Sequence, residues 1–434
     1  MTLHKNIPAV NKKIEDLIQK DFGLITSTLT NRLGPESIAT VESIVTNGYN
    51  EARTKWSAGL IPVDPKDFIW QFVTDNTSEL FCHKIFNHQY PSETPDKEQI
   101  LNLEYPNKEE VVLNKIIMLF ACSHPSNEQY INASLILKIL GGYSSSYIAR
   151  MLSRNETVIT NSLESVKKQI IEKKIPFAIP GKYVLRERTV NLLKLLNYIF
   201  ELGYNHPDDR IRVSTELCNT AINLCEVLVK NPVTNIPETR ACLSYMLLCG
   251  SRLKSIVDKN GKVQKLQEQD RELWDREMIV KGIDYLYKSA SGNNVDKIHL
   301  MAGVEAIHST SNEYCSTNWT QIVSLYQNYL QVHDCPQTEL EMAFVLSKIE
   351  GPKTGIDAIK KIKDKESIEN STLYGVTLGN LYLQIHKYEA ALSYFKKGLK
   401  TAERSSEKTY ISSKIHICQQ RIRMTNRYKH SLSF

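Results

Sequence analysis

The stretch from Gln129 to Lys174, QYINASLILKILGGYSSSYIARMLSRNETVITNSLESVKKQIIEKK, constrains the fold of this chain more tightly than any other. Its apolar residues recur at helical spacing in three short blocks: Ile131, Leu135, Ile136 and Ile139; then Ile148, Met151 and Leu152; then Val158, Ile159, Leu163, Val166 and Ile170. Gly141 and Gly142 end the first block. Ser144 or Ser145 offers a side-chain oxygen to the first amides of the second, and Asn155 before Glu156 does the same for the third. Three helices with tight connections follow, which is a helix-turn-helix pattern.

Where such a unit binds DNA, the second helix braces the backbone and the third enters the major groove, so the start of the third must be polar and exposed. Asn155, Glu156, Thr157, Thr160 and Asn161 supply that start and can reach base edges. Arg150, Arg154, Lys167 and Lys168 can neutralise phosphates, and Ser144 and Ser145 at the head of the bracing helix belong to the same candidate set. A helical hairpin without DNA affinity accounts for the same spacing, and Glu156, Glu164 and Glu172 dilute the positive charge.

The rest of the composition sets bounds. A chain of 434 residues can build two or three domains with cores of their own, and 41% hydrophobic with 24% charged residues suits an ordinary helix-rich protein. No apolar run approaches a membrane span and the first residues hold no signal-peptide core, so the expected location is the cytoplasm, without membrane contact. Nine cysteines stand singly, with no CxxC pair, which argues against a disulfide framework and against zinc. Cys218 with Cys225 and Cys242 with Cys249 lie two helical turns apart, as small apolar residues of a buried face do. Net charge of +6 permits nucleic-acid binding without demanding it.

Taken in order, residues 14–56 read as two helices broken at Gly34 and Pro35, followed by a third in KDFIWQFVTDNTSELFCHKIF, so that a small helical domain spans residues 1–88. Residues 89–112, with their prolines among charged groups, read as a linker. The helix-turn-helix domain spans 113–178. Cys122 and His124 precede it, but a thiol nucleophile needs a base with an orienting partner and zinc needs four ligands; neither set is near, and a turn or packing role is expected. From residue 179 to 434 the pattern is a helical array of amphipathic segments with short polar turns. In YGVTLGNLYLQIHKYEAALSYFKKGLKTA, Leu378, Gly379, Tyr382, Ala391, Phe395 and Gly398 alternate small and large as the two antiparallel helices of a tetratricopeptide repeat require, with Gly379 and Ala391 expected at their closest approach. The expected fold class is therefore all-α: two small helical domains, the second a helix-turn-helix, and a repeat-like array.

The run from Gly141 to Ile170 resembles, without a gap, region 4 of extracytoplasmic-function RNA polymerase sigma factors, in which this unit reads the upstream promoter element. Ser162 and Ser165 stand where that family places basic residues. The preceding domain is similar to sigma region 2. Its VESIVTNGYNEARTKW falls at the helix that grips polymerase, which implies Glu42, Thr46 and Asn47 as polymerase-binding residues, whereas the DNA-melting helix has only Lys66 and Lys84 for the arginines of the family. The extension resembles that of one group of these factors through three motifs: FELGY at Phe200–Tyr204, QDRELWD at Gln269–Asp275, and NWTQIVSLY at Asn318–Tyr326, the likeness running from about Ile116 to Ile362. On residues alone, Gln269, Asp270, Arg271 and Asp275 read either as a ligand site or as a solvated helix start with local ion pairs.

The resemblance implies a transcription initiation factor whose partners are core RNA polymerase and promoter DNA, with a protein or peptide ligand for the helical extension. No carboxylate pair, phosphate loop or metal spacing emerges, so neither an enzyme nor a cofactor is expected. The competing expectation is a sigma-like interaction protein that has lost promoter opening and acts as a scaffold or regulator.

Overall fold

Several of the described helices begin where a side chain satisfies the first orphan amides. Asn107, Ser144, Asn155, Ser214, Asp275 and Ser371 each accept a hydrogen bond from a backbone N–H in the turn they open. The computed structural model describes residues 7–58, 61–86, 104–206, 213–258, 264–290 and 295–431. Among the described residues the fold is all-α, with no strand. None of the described helices is long and apolar enough to cross a membrane.

The chain divides into two compact units, one of residues 1–203 with 214–239 and the other of residues 204–213 with 240–434. The first unit begins with α1 (Ile7–Leu17) and α2 (Gly23–Leu33), joined without a break by a π-helical turn, Ile18–Phe22. The buried series Ile14, Leu17, Phe22, Ile25, Leu29 explains it: the step from Leu17 to Phe22 is five residues, so the wider turn keeps Phe22 in the core. Gly34, at φ 91°, then reverses the chain into α3 (Ile38–Ser57), and α4 (Pro65–Phe86) closes a core around Phe22, Tyr49, Trp56 and Val73.

The expected linker lies mostly outside the described residues; its last residues already belong to α5 (Lys108–Cys122). That helix packs on α2. Asn31 donates to Asn114 at 2.6 Å, and the Arg32 guanidinium grips both carboxylate oxygens of Glu110 at 2.7 and 2.9 Å. The helix-turn-helix follows as α6 (Gln129–Ile139), α7 (Ser145–Met151) and α8 (Glu156–Ile171), and α9 (Lys182–Tyr204) and α10 (Thr215–Val229) complete the unit. Gly23 lies so close to the Leu140 carbonyl that no Cβ would fit, and a Cβ on Gly142 would meet Ile18 and Phe22. The first helices and the helix-turn-helix are thus packed together rather than held apart.

The second unit takes in most of α11 (Pro237–Gly250), then α12 (Arg276–Ser289), α13 (Lys297–Thr310), α14 (Trp319–Leu330), α15 (Pro336–Glu350), α16 (Pro352–Lys361), α17 (Thr372–Gln384), α18 (Tyr388–Thr401) and α19 (Ser405–Ser431). From α12 on, each helix packs against the next, as in an array. Helices α17 and α18 run antiparallel: Thr372 faces Thr401, Gly375 faces Gly398 and Gly379 faces Phe395. Their closest backbone approach is at Gly375 and Gly398, a pair the sequence reading did not single out together, while Ala391 lies fully buried among Phe395 and Ile411.

Candidate nucleic-acid interface

The helix-turn-helix owes its shape to one buried face per helix. Ile148 and Met151 of α7 and Ile159, Leu163, Val166 and Ile170 of α8 are all within a few per cent of full burial. The caps form as expected: Ser144 Oγ accepts from Tyr147 N at 3.2 Å and Asn155 Oδ1 from Thr157 N at 2.8 Å. With the apolar face committed, the opposite face of α8 is left open. Asn155, Glu156, Thr157 and Asn161 are exposed and Thr160 is half-exposed, its hydroxyl donating to the Glu156 carbonyl at 3.0 Å. The Asn155 amide nitrogen remains available, because capping uses only the oxygen.

The cations divide into two groups. Arg150 and Arg154 are exposed and lie over the Tyr147 and Tyr130 rings at 5.1 and 4.8 Å, which fixes their direction without spending their charge. Lys168 is also exposed, 3.8 Å from Glu172. Lys167 is different: it points into the fold and its ammonium sits 2.9 Å from Glu42 Oε2, with only 13% of the side chain exposed. Lys138 of α6 takes the other oxygen of the same carboxylate at 3.2 Å. Ser144 is exposed and Ser145 half-buried.

Of the residues expected to meet polymerase, only Asn47 is fully exposed. Glu42 is buried, and Thr46, half-buried, donates to the Glu42 carbonyl at 2.8 Å and to its carboxylate at 3.3 Å. Burial alone would push the Glu42 carboxyl up, yet Lys167 and Lys138 together outweigh it and hold the group below its ordinary value. Thr46 and Ser144 line one cleft of about 480 Å³ together with Tyr49, Arg53 and Lys138. The convergence of α3, α6 and α8 on one carboxylate escaped sequence reasoning. Its only sequence signal is that Lys138 and Lys167 flank apolar positions, the usual place for a lysine whose stem is buried.

Cys122 is fully buried and its thiol is pushed far up by burial, while His124 Nδ1 meets Ser126 Oγ at 2.7 Å in the turn before α6; both serve packing and turn geometry. Among the described residues no group of three His, Cys, Asp or Glu side chains is placed to hold a metal ion.

The three motifs of the extension are built into packing. Phe200 is fully buried, and Gly203 lets the helix approach Cys218 and Ser214. Arg271 donates to the carbonyls of His308 and Ser311 at 2.7 and 2.6 Å and lies 4.3 Å above the ring of Trp274, whose Nε1 donates to Ser255 Oγ at 2.9 Å. Asp275 caps α12, accepting from Met278 N at 3.1 Å. QDRELWD is therefore a clasp that ties a loop to the end of α13: Asp270 is exposed and Asp275 starts a helix, as the solvated-helix-start reading has it, but Arg271 is bound to two carbonyls rather than ion-paired, beside Trp274, which is 3% exposed. Asn318 caps α14, Ile322 is buried, and Tyr326 hydrogen-bonds to Glu341.

A family of unknown function, DUF6596, matches residues 188–290, from α9 to the end of α12 and including the clasp. An uncharacterized protein of Rhizobium meliloti (strain 1021) is 27% identical over 294 residues, covering 68% of this chain and 69% of its own length. No solved structure matches.

Proposed function

We propose that this chain is a DNA-binding RNA polymerase sigma factor of the extracytoplasmic-function type, acting in the cytoplasm, with a tetratricopeptide-like extension that regulates it. The observation that carries the reading is the open face of α8: Asn155, Thr157 and Asn161 stand exposed at the head of the third helix, beside exposed Arg150 and Arg154. Amides there can pair with base edges while the guanidiniums hold phosphates. On this reading the protein is not an enzyme and needs no cofactor; its partners are core polymerase and promoter DNA.

A second reading is favoured by one observation. Glu42, which the sigma resemblance assigns to polymerase, is buried against Lys138 and Lys167. A sigma-like interaction protein that no longer opens promoters would keep such a contact permanently. The experiment is reconstitution of this chain with core polymerase, followed by selection of bound duplexes from random sequence. Stable association with an enriched motif is the expected result. Association without enrichment favours the interaction protein, and absence of association overturns the sigma reading.

A further inference from the structure

The second unit holds a cavity of about 490 Å³ walled by α13, α14, α15 and α17 and by Lys265 and Leu266 just ahead of the clasp. Such a volume suits a small organic molecule rather than a lone ion. Its wall is mainly aromatic and aliphatic, with Tyr314, Trp319, Tyr326 and Phe344 in the lining. Trp319 is braced by its neighbours, 5.3 Å from Tyr314 and 5.4 Å from His308, so the aromatic surface is fixed before any ligand arrives.

The charges in the lining are unequal. Glu341 is already compensated, with Lys297 at 3.9 Å and a hydrogen bond from Tyr326. Lys265 is exposed and its ammonium has no carboxylate within ion-pair reach among the described residues; its neighbour is the face of Tyr410 at 5.0 Å. A buried polar atom in the same wall is without a partner among the described residues. His308 is only 8% exposed, and its Nδ1 has no hydrogen-bond partner among the described residues. Burial, helped by Arg252 and Arg271, outweighs the opposing carboxylate of Glu305 and holds this imidazole below its ordinary value, so it offers a neutral hydrogen-bonding nitrogen. A buried polar atom without a partner costs free energy that a ligand atom can recover.

We infer that this cavity is a binding site for a small carboxylic acid with an aromatic or comparably flat apolar body, the carboxylate pairing with Lys265 and the body lying against Trp319. A cationic ligand of the same shape is disfavoured, because Lys265, the lining charge without an ion-pair partner among the described residues, is positive. The inference rests on the second unit alone and does not depend on the transcriptional reading.

The test uses the full chain and a matched pair of probes, 1-naphthaleneacetate and 1-naphthylmethylamine, titrated by calorimetry. The acid should bind with one site per chain and the amine markedly more weakly. Lys265→Met should weaken the acid about tenfold, as loss of one charge-assisted contact does, and tighten the amine, whose repulsion from the ammonium is removed. Leu373→Trp, a substitution at a lining position that is 40% exposed, should block the acid by filling the mouth. Both positions are exposed, so the fold should survive, and circular dichroism checks that it does. Equal or tighter binding of the amine, indifference of the acid to both substitutions, or no binding of either probe would each overturn the inference.

Discussion

Glu42 and Lys167, 125 residues apart in the chain, meet at 2.9 Å in a nearly closed environment, and Lys138 takes the remaining carboxylate oxygen. The contact ties α3 to both α6 and α8. On the sigma reading it couples a residue proposed to meet polymerase with one proposed to meet DNA phosphate, and on that reading neither can play its part while the contact holds.

Glu42→Gln should therefore cost about 2–3 kcal/mol, because it leaves two shielded ammonium groups without their counter-charge. The pH dependence has a definite sign. The folded carboxyl titrates below its unfolded value, so its contribution is complete above about pH 4.3 and is lost as pH falls through the folded value. Chemical denaturation of the wild type and variant across pH should show a gap at neutrality that closes in acid. A gap independent of pH would mean that packing, not charge, is at stake.

Asp21, in the π-helical turn, has the opposite behaviour. Burial raises its carboxyl and outweighs Lys66, 3.7 Å away, and Lys115. Its neutral form is the one the fold prefers, so the favourable contribution is full below about pH 3.9 and is lost as pH rises through the folded value. Asp21→Asn should raise the melting temperature near neutral pH, with the advantage vanishing below about pH 4. A lower melting temperature at pH 7 would show that the ion pair with Lys66 outweighs burial.

Arg271→Lys keeps the charge but cannot serve two carbonyls and a ring face at once. A loss of about 1–3 kcal/mol is expected in the second unit, with Trp274 fluorescence shifting to the red as the ring becomes wetter. Unchanged emission and stability would remove the clasp assignment.

Helix positions, caps and the open face of α8 were legible because they depend on local periodicity and on side chains a few residues away. Asn155 shows this: its neighbours alone specify the cap. The Glu42 contact was not legible, since three helices distant in sequence meet there and a lysine that will be buried reads like one that will be solvated. The π turn at Ile18–Phe22 was hidden for a related reason: one inserted residue leaves the helical pattern nearly intact and reveals itself only when Phe22 is found in the core. The cavity of the second unit combines residues from Lys265 to Asn380, a span over which spacing carries no information.

Base reading and backbone attraction on α8 fall to different side chains, and the burial of Lys167 leaves Lys168 as the lysine that tests the latter. Asn161→Ala should relax preference at one base pair by about 1–3 kcal/mol, since an exposed amide on α8 can pair with a single base edge. Lys168→Ala should weaken binding to all sequences alike and reduce the salt slope by about one, because each lost phosphate contact leaves one counterion in place. Lys167 is committed to Glu42, so Lys167→Ala should lower stability while leaving the salt slope of the folded protein intact. The measurement is affinity of the polymerase complex for a selected duplex as a function of salt, beside a denaturation curve for each variant. If Lys167→Ala flattens the salt slope as much as Lys168→Ala does, the contact with Glu42 opens when DNA binds. If neither lysine alters the slope and Asn161→Ala leaves the preference intact, α8 does not enter the groove.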